Sequence, residues 1–134
     1  MTTLRQVAVA LAARIDTIPE LEVHEFVPPT VAHFPIAFVT PPTFEYEGLS
    51  LTSIEATFGV VVLASRNVDR KQLDLYDYVD LTGPRSIPAV VNGDTTLGLS
   101  GVHAFTLAAR PLGAEEIAGY NAFGVVIDVM VRLS

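Results

Sequence analysis

From Phe123 to Leu133 the chain alternates without a break. Phe123, Val125, Ile127, Val129, Val131 and Leu133 are apolar, and Gly124, Val126, Asp128, Met130 and Arg132 stand between them. A period of two puts the first set on one face of an extended strand and the second set on the other. Residues 54–65 repeat the device. Ile54, Ala56, Phe58, Val60, Val62 and Ala64 share one face, while the other opens with Glu55, Thr57 and Gly59 and turns apolar at Val61 and Leu63. Strands this long and apolar must be covered, and the second one must be covered on both sides at one end. The chain is therefore built around a sheet.

The remaining pattern supplies the covering layer. Leu4, Val7, Ala8, Leu11, Ala12 and Ile15 recur at helical spacing, with Thr2 or Thr3 placed to cap the helix and Pro19 to end the region. Arg5, Gln6 and Arg14 fall off that stripe and are expected to face water. A second helix is expected after Asn67, with Asp69 in its first turn and Val68, Leu75, Tyr76 and Val79 as its buried stripe. Thr82-Gly83-Pro84 reads as its stop, with Gly83 as a left-handed C-cap. Ser86 then caps a short helix over residues 86–93, with Pro88 in its first turn.

Shorter strands are expected over residues 21–24, 34–40 and 102–110. The second of these is apolar at nearly every position, which implies burial on both faces, and Pro35 favours an edge or a strand start. Pro41-Pro42 should end it, leaving residues 43–50 as an exposed loop or hairpin tip. Residues 98–101 read as a turn and 111–121 as a loop. The order of helix, strands, helix pair and strands predicts one α+β domain over residues 1–134, an antiparallel or mixed sheet with helices on one face.

Charge narrows the function classes. The chain carries 15 acidic and 8 Lys or Arg residues, a formal net charge of −7, so it lacks the basic face of a classical nucleic-acid binder. No apolar run reaches the length of a membrane-spanning helix. The N-terminal Met-Thr-Thr-Leu-Arg-Gln lacks the order of a signal peptide. With no cysteine, thiol nucleophiles, disulfides and Cys-based zinc sites are excluded. His24, His33 and His103 show no metal-ligand spacing, and no serine stands in a nucleophile elbow, so neither enzyme chemistry nor a cofactor is expected. What remains is unusual hydropathy: half the residues are hydrophobic and only 17% charged. Such a surface suits a chain covered by copies of itself.

The candidate contact residues follow from that idea. Phe44, Tyr46 and Glu47 lie between Pro41-Pro42 and Gly48, where aromatics either anchor in a neighbour or fold back on their own core. Pro28 and Pro29 stiffen a segment able to reach outward. Arg66, Arg70 and Lys71 begin the second helix, Asp74 and Asp77 follow on it with Asp80, and Arg85 lies past its end. Charge clusters of opposite sign on one element suit head-to-tail contacts in a ring. The same acids, with Asp69 and Asp94, also read as an acidic patch or as a plainly solvated face.

The stretch from Ala64-Ser65-Arg66-Asn67 through Leu75-Tyr76-Asp77-Tyr78-Val79-Asp80-Leu81-Thr82-Gly83-Pro84-Arg85-Ser86-Ile87-Pro88-Ala89 resembles the tail terminator, or tail completion, proteins of long-tailed bacteriophages, especially those of actinobacterial hosts. Ile18-Pro19-Glu20-Leu21, the Thr96-Leu97-Gly98 turn and Gly119-Tyr120 extend the likeness over essentially the whole chain. It departs after Gly98, where Leu99-Ser100-Gly101-Val102-His103 stands in place of acidic residues. The resemblance implies a structural virion protein of the tail neck, assembled in the host cytoplasm. It implies a homo-oligomer, a hexameric ring that caps the head-proximal end of the tail tube and ends tube polymerisation. The tail tube protein would meet one face and a head-tail connector or stopper protein the other, with DNA passing through the lumen without specific binding and no membrane involved. Another neck or tube component, or a small ligand-binding α+β domain, is the alternative.

Overall fold

The structure is a computed structural model that describes residues 2–29, 34–47, 53–65, 71–112 and 123–133. Its centre is the pair of long alternating segments. Strand β4 (Ser53–Ser65) runs antiparallel to β6 (Phe123–Leu133), with Ile54 opposite Leu133 at one end and Ser65 opposite Phe123 at the other. Directly opposed residues point to the same side, so Ala56 with Val131, Phe58 with Val129 and Val60 with Ile127 form one apolar surface.

Four more strands extend this pair. β5 (Val102–Leu112) lies antiparallel beside β6 at one edge. On the far side of β4 lie two segments end to end: β2 (Ile36–Val39) along its second half and β3 (Thr43–Glu47) along its first. β1 (Glu22–His24) adds a parallel strand outside β2. The result is a mixed six-stranded sheet in the order β1-β2-β4-β6-β5, with β3 also paired to β4. This is the expected α+β fold, and the helices α1 (Leu4–Ile15), α2 (Lys71–Val79) and α3 (Ile87–Asn92) feed their buried side chains into one core cluster with one sheet face.

The residues 43–47 are a strand, not a loop tip. Val39 pairs with Val60, yet Thr43 pairs with Thr57, so three residues of one strand face two of the other. That extra residue is a bulge. Pro41 and Pro42 cannot donate to the ladder and fall inside it, so they interrupt the strand locally while Thr40 N–H still reaches Gly59 O at 2.8 Å. The expected double-faced burial of the segment before it holds, since all of β2 is buried. Its outward side meets Val61, Leu63 and Val126 in a second, smaller apolar cluster on the face without helices.

α1 begins with a reciprocal cap. Thr3 Oγ1 accepts from Gln6 N–H at 3.2 Å, and Gln6 Oε1 accepts from Thr3 N–H at 2.8 Å. Arg14 does not simply face water: its Nε donates to Val90 O at 3.0 Å and ties α1 to the last turn of α3. Among the described side chains of α2 the buried ones are Leu75 and Tyr78, with Val79 half-buried, while Tyr76 is 60% exposed. Positions 75, 78 and 79 make a tighter i, i+3, i+4 stripe than one that includes 76. Val68 and Asn67 lie outside the described residues. α2 ends at Val79, so Gly83 (φ +115°) is not its C-cap; it shapes the turn into α3, where Gly83 O accepts from Ser86 N–H. Ser86 is fully buried and serves twice, accepting from Ala89 N–H at 3.0 Å and donating to Asp80 O.

Two substitutions test this packing by chemical denaturation. Tyr78→Ala removes a side chain 2% exposed and is expected to cost about 3–5 kcal/mol, whereas Tyr76→Ala stays within about 0.5 kcal/mol. Ser86→Ala removes the cap together with the hydroxyl that donates to Asp80 O, an expected loss of about 0.5–2 kcal/mol.

Candidate functional site

The two long edges of the sheet hold the surface features that need explanation. At one edge, Phe44 and Tyr46 on β3 oppose Ala56 and Ile54, so they stand on the helix-bearing side of the sheet. The helices do not reach over them: Phe44 is 47% and Tyr46 61% exposed. Their rings meet edge to face, with centroids 5.7 Å apart at 80°. Of the two readings of these aromatics, folding back on the core is the one the geometry rejects.

The other face of β3 carries charge. Glu45 lies directly opposite Glu55, and Glu55 lies opposite Arg132, whose Nη2 is 3.2 Å from Glu55 Oε2. Arg132 thus neutralises the inner acid, and Glu45 faces a like charge across the strands, a destabilising placement. Glu47 ends the same strand. Among the described residues no strand pairs with the outer edge of β3.

At the opposite edge, β5 carries a bulge at Leu107. Thr106 opposes Val129 and Ala108 opposes Asp128, so the chain swaps faces at this point. Before it, Val102 and Ala104 point into the core; after it, Ala109 and Pro111 take the helix-bearing side and Ala108 and Arg110 the other. The first half of the outer edge is occupied: Ala104 N–H donates to Thr95 O at 2.7 Å, and Thr106 N–H donates to Asn92 Oδ1 at 3.2 Å. Residues 107–111 are exposed.

A groove of about 270 Å³ opens beside that second half, between α2 and the strands. Leu75, Tyr76, Val79, Ala109, Pro111 and Val125 give it an apolar wall, with Arg110 and Gly124 at its margin. Gly124 is required by close packing against β4 rather than by the groove, since a Cβ there would lie 2.5 Å from Val62 O. The groove was not foreseen, because the bulge breaks the alternation that would have placed Ala109 and Pro111.

The other candidate contacts are scattered. Pro28 is buried and so does not reach outward, while Pro29 is exposed. Arg66 and Arg70 lie outside the described residues; Lys71 and Asp74 lie on α2, and Asp77 on its exposed side. Arg85 Nη2 sits 3.7 Å from Glu20 Oε2 and, with Asp77, borders a small hollow at the Thr82-Gly83-Pro84 turn. The two charge clusters of one helix are therefore not assembled as a site by the described side chains. Asp94 belongs to its own turn rather than an acidic patch. Its Oδ1 accepts from Thr96 Oγ1 at 2.7 Å and from Thr96 N–H at 3.2 Å, and those bonds hold its carboxyl below the usual carboxylate range.

His24 Nε2 lies 3.7 Å from Glu22 Oε2, and His103 stacks obliquely on Phe105; His33 lies outside the described residues. Among the described residues no cluster of His, Asp and Glu has the makings of a metal site, and no helix is long and apolar enough to cross a membrane. Compared with known protein families and with curated proteins, the chain matches none of them.

Two measurements follow. Glu45→Gln relieves the repulsion from Glu55 and is expected to raise the stability of the isolated chain by about 0.2–1 kcal/mol in denaturant titration. For Asp94, a carboxyl that binds protons less readily when folded stabilises fully above the usual carboxylate range and loses that contribution as pH falls through its lowered value. Asp94→Asn keeps the acceptor and removes the titration, so its unfolding midpoint should fall less than the native chain's on acidification.

Proposed function

We propose that this chain is a ring-forming structural subunit, and that its ring is the hexameric tail terminator of a long-tailed phage. The observation that carries the first part is the pairing of two unlike adhesive features on opposite edges of one sheet. One edge presents exposed aromatics, and the other an apolar groove beside exposed Leu107, Ala108 and Ala109. Complementary patches on opposite sides of a subunit generate heterologous contacts, which close into rings or run on as filaments. A C2 pair made through β3 alone would bring Glu45 and Glu55 of both copies into one row of acids, which disfavours it. The second part rests on the resemblance carried by residues 64–89, a stretch that includes α2, the Thr82-Gly83-Pro84 turn and α3.

In this role the protein needs no reacting group. The ring sits on the tube end, presents a surface on which the next tube subunit cannot stack, and offers its opposite face to the connector. The net charge of −7 favours DNA transit through such a passage, because phosphate is repelled rather than held.

The test is assembly. Purified chain is mixed with polymerising tail tube protein and followed by light scattering and negative-stain imaging. The expected result is shortened tubes tipped by rings of about six copies, the size the resemblance implies. Tubes of unchanged length with bare ends would contradict the terminator reading, and long tubes of this chain alone would mark it as a tube subunit instead.

A further inference from the structure

We propose that the outer edge of β3 is a pairing surface for β3 of a second copy, and that Glu45 is the residue that keeps it unpaired. The contact goes beyond the ring reading and does not rest on it, because it joins copies two by two.

The edge itself supplies the ladder. Among the described residues β4 holds one side of β3 and no strand pairs with the other, so the outward backbone groups of residues 43–47 are left for a further strand. β3 runs antiparallel to β4. A second β3 added antiparallel, about a two-fold axis normal to the sheet, continues that pattern and keeps the helix-bearing faces of both copies on one side.

Proline and charge select the register. A pair centred on Glu45 sets Thr43 against Glu47 and Phe44 against Tyr46, so all five residues of β3 take part. A pair centred on Phe44 brings Tyr46 against Pro42, which has no N–H to give, and the ladder shrinks to residues 43–45. A pair centred on Tyr46 sets Glu45 against Glu47 in both directions, two opposed pairs of acids instead of one.

In the full register the two faces act against each other. On the helix-bearing side, Phe44 and Tyr46, 47% and 61% exposed in the single copy, meet Tyr46 and Phe44 of the other. Each copy already holds its two rings edge to face with centroids 5.7 Å apart, so four rings join in one cluster. On the opposite side, Glu45 meets itself across the axis. The row across the join reads Glu55, Glu45, Glu45, Glu55. Arg132 Nη2, 3.2 Å from Glu55 Oε2 within each copy, serves the outer acids. Among the described residues the two central acids have no cation beside them. Like charges directly opposite destabilise a strand pair. The aromatic face therefore favours pairing and Glu45 opposes it. A charge on an edge strand discourages edge-to-edge association, and here it leaves β3 free for the unlike surface that the ring reading sets against it.

Three substitutions test the guard. Glu45→Gln removes the carboxylate and keeps the side chain's size, and Glu45→Asp keeps the charge. Asp77→Asn takes an exposed acid from α2, so it changes the net charge equally but away from β3. Each is sized by sedimentation velocity over a range of concentrations at low and high salt. Glu45→Gln is expected to form dimers at least about fivefold tighter than the native chain, while Glu45→Asp and Asp77→Asn stay with the native chain. The native chain should approach Glu45→Gln as salt rises, because screening weakens the repulsion. The place of contact is read in two ways. Amide exchange should slow at residues 43–47 of the Glu45→Gln dimer. With no native cysteine to compete, Glu45→Cys should cross-link with itself on oxidation.

Three results overturn the proposal: Glu45→Gln no tighter than the native chain, equal tightening in Asp77→Asn, or a dimer whose residues 43–47 exchange as in the monomer. None of these measurements involves tube protein, so the ring reading stands or falls separately.

Discussion

The antiparallel pairing of β4 with β6 is the constraint on which the rest of the molecule depends. It places Phe58, Val60, Ile127 and Val129 on one continuous surface, each essentially inaccessible to water. Burying side chains of this kind contributes about 1.5–3 kcal/mol each, so the pair sets where every helix must lie. α1, α2 and α3 all pack on that surface, and β1, β2, β3 and β5 are held in place by their register to it. A slip of one residue would turn the apolar rows to the wrong side, and the two long alternations forbid it.

That same constraint creates the surface features. Because β4 is longer than β2, β3 must complete its first half, and there the helices no longer cover the sheet. Phe44 and Tyr46 are thus carried out beyond the core by the register itself. At the other edge, the bulge at Leu107 turns β5 so that Ala109 and Pro111 form the floor of a groove against α2. Bulges and prolines at sheet edges commonly discourage indiscriminate pairing. Here they leave one short exposed stretch, residues 107–111, beside the groove.

Much of this was legible in residue order, wherever a period ran long enough to average out exceptions. The alternation at 123–133, the stripe of α1 and the Ser86 cap each pointed to what the structure contains. The apolar turn of the second face of β4 at Val61 and Leu63 announced that this end of the strand is the more covered one, and the second cluster is what covers it. The failures come from single-residue events that no period encodes. Pro41-Pro42 looked like an end because proline cannot join a ladder, yet a bulge carries the strand past them into β3. Tyr76 and Tyr78 are the same residue type two positions apart, and only the packing of α2 on the sheet decides that Tyr78 is inside. Arg14 looked solvated because a charge off the stripe usually is; its partner, Val90 O, lies 76 residues away in the chain. The edge residues of the candidate site divide the same way, since the aromatics were visible as unusual in their setting while the groove required the bulge in β5.

The central claim is that copies of this chain meet through the two opposite edges of one sheet. Amide hydrogen exchange, compared between dilute monomer and assembled protein, addresses it most directly, because covering a strand edge protects its backbone amides. The account predicts that protection rises on assembly at residues 43–47 and 107–110, with little change in α1 and in β4 and β6, which are already buried. Protection that appears on the exposed side of α1 or α2, with both edges still exchanging as in the monomer, would contradict it.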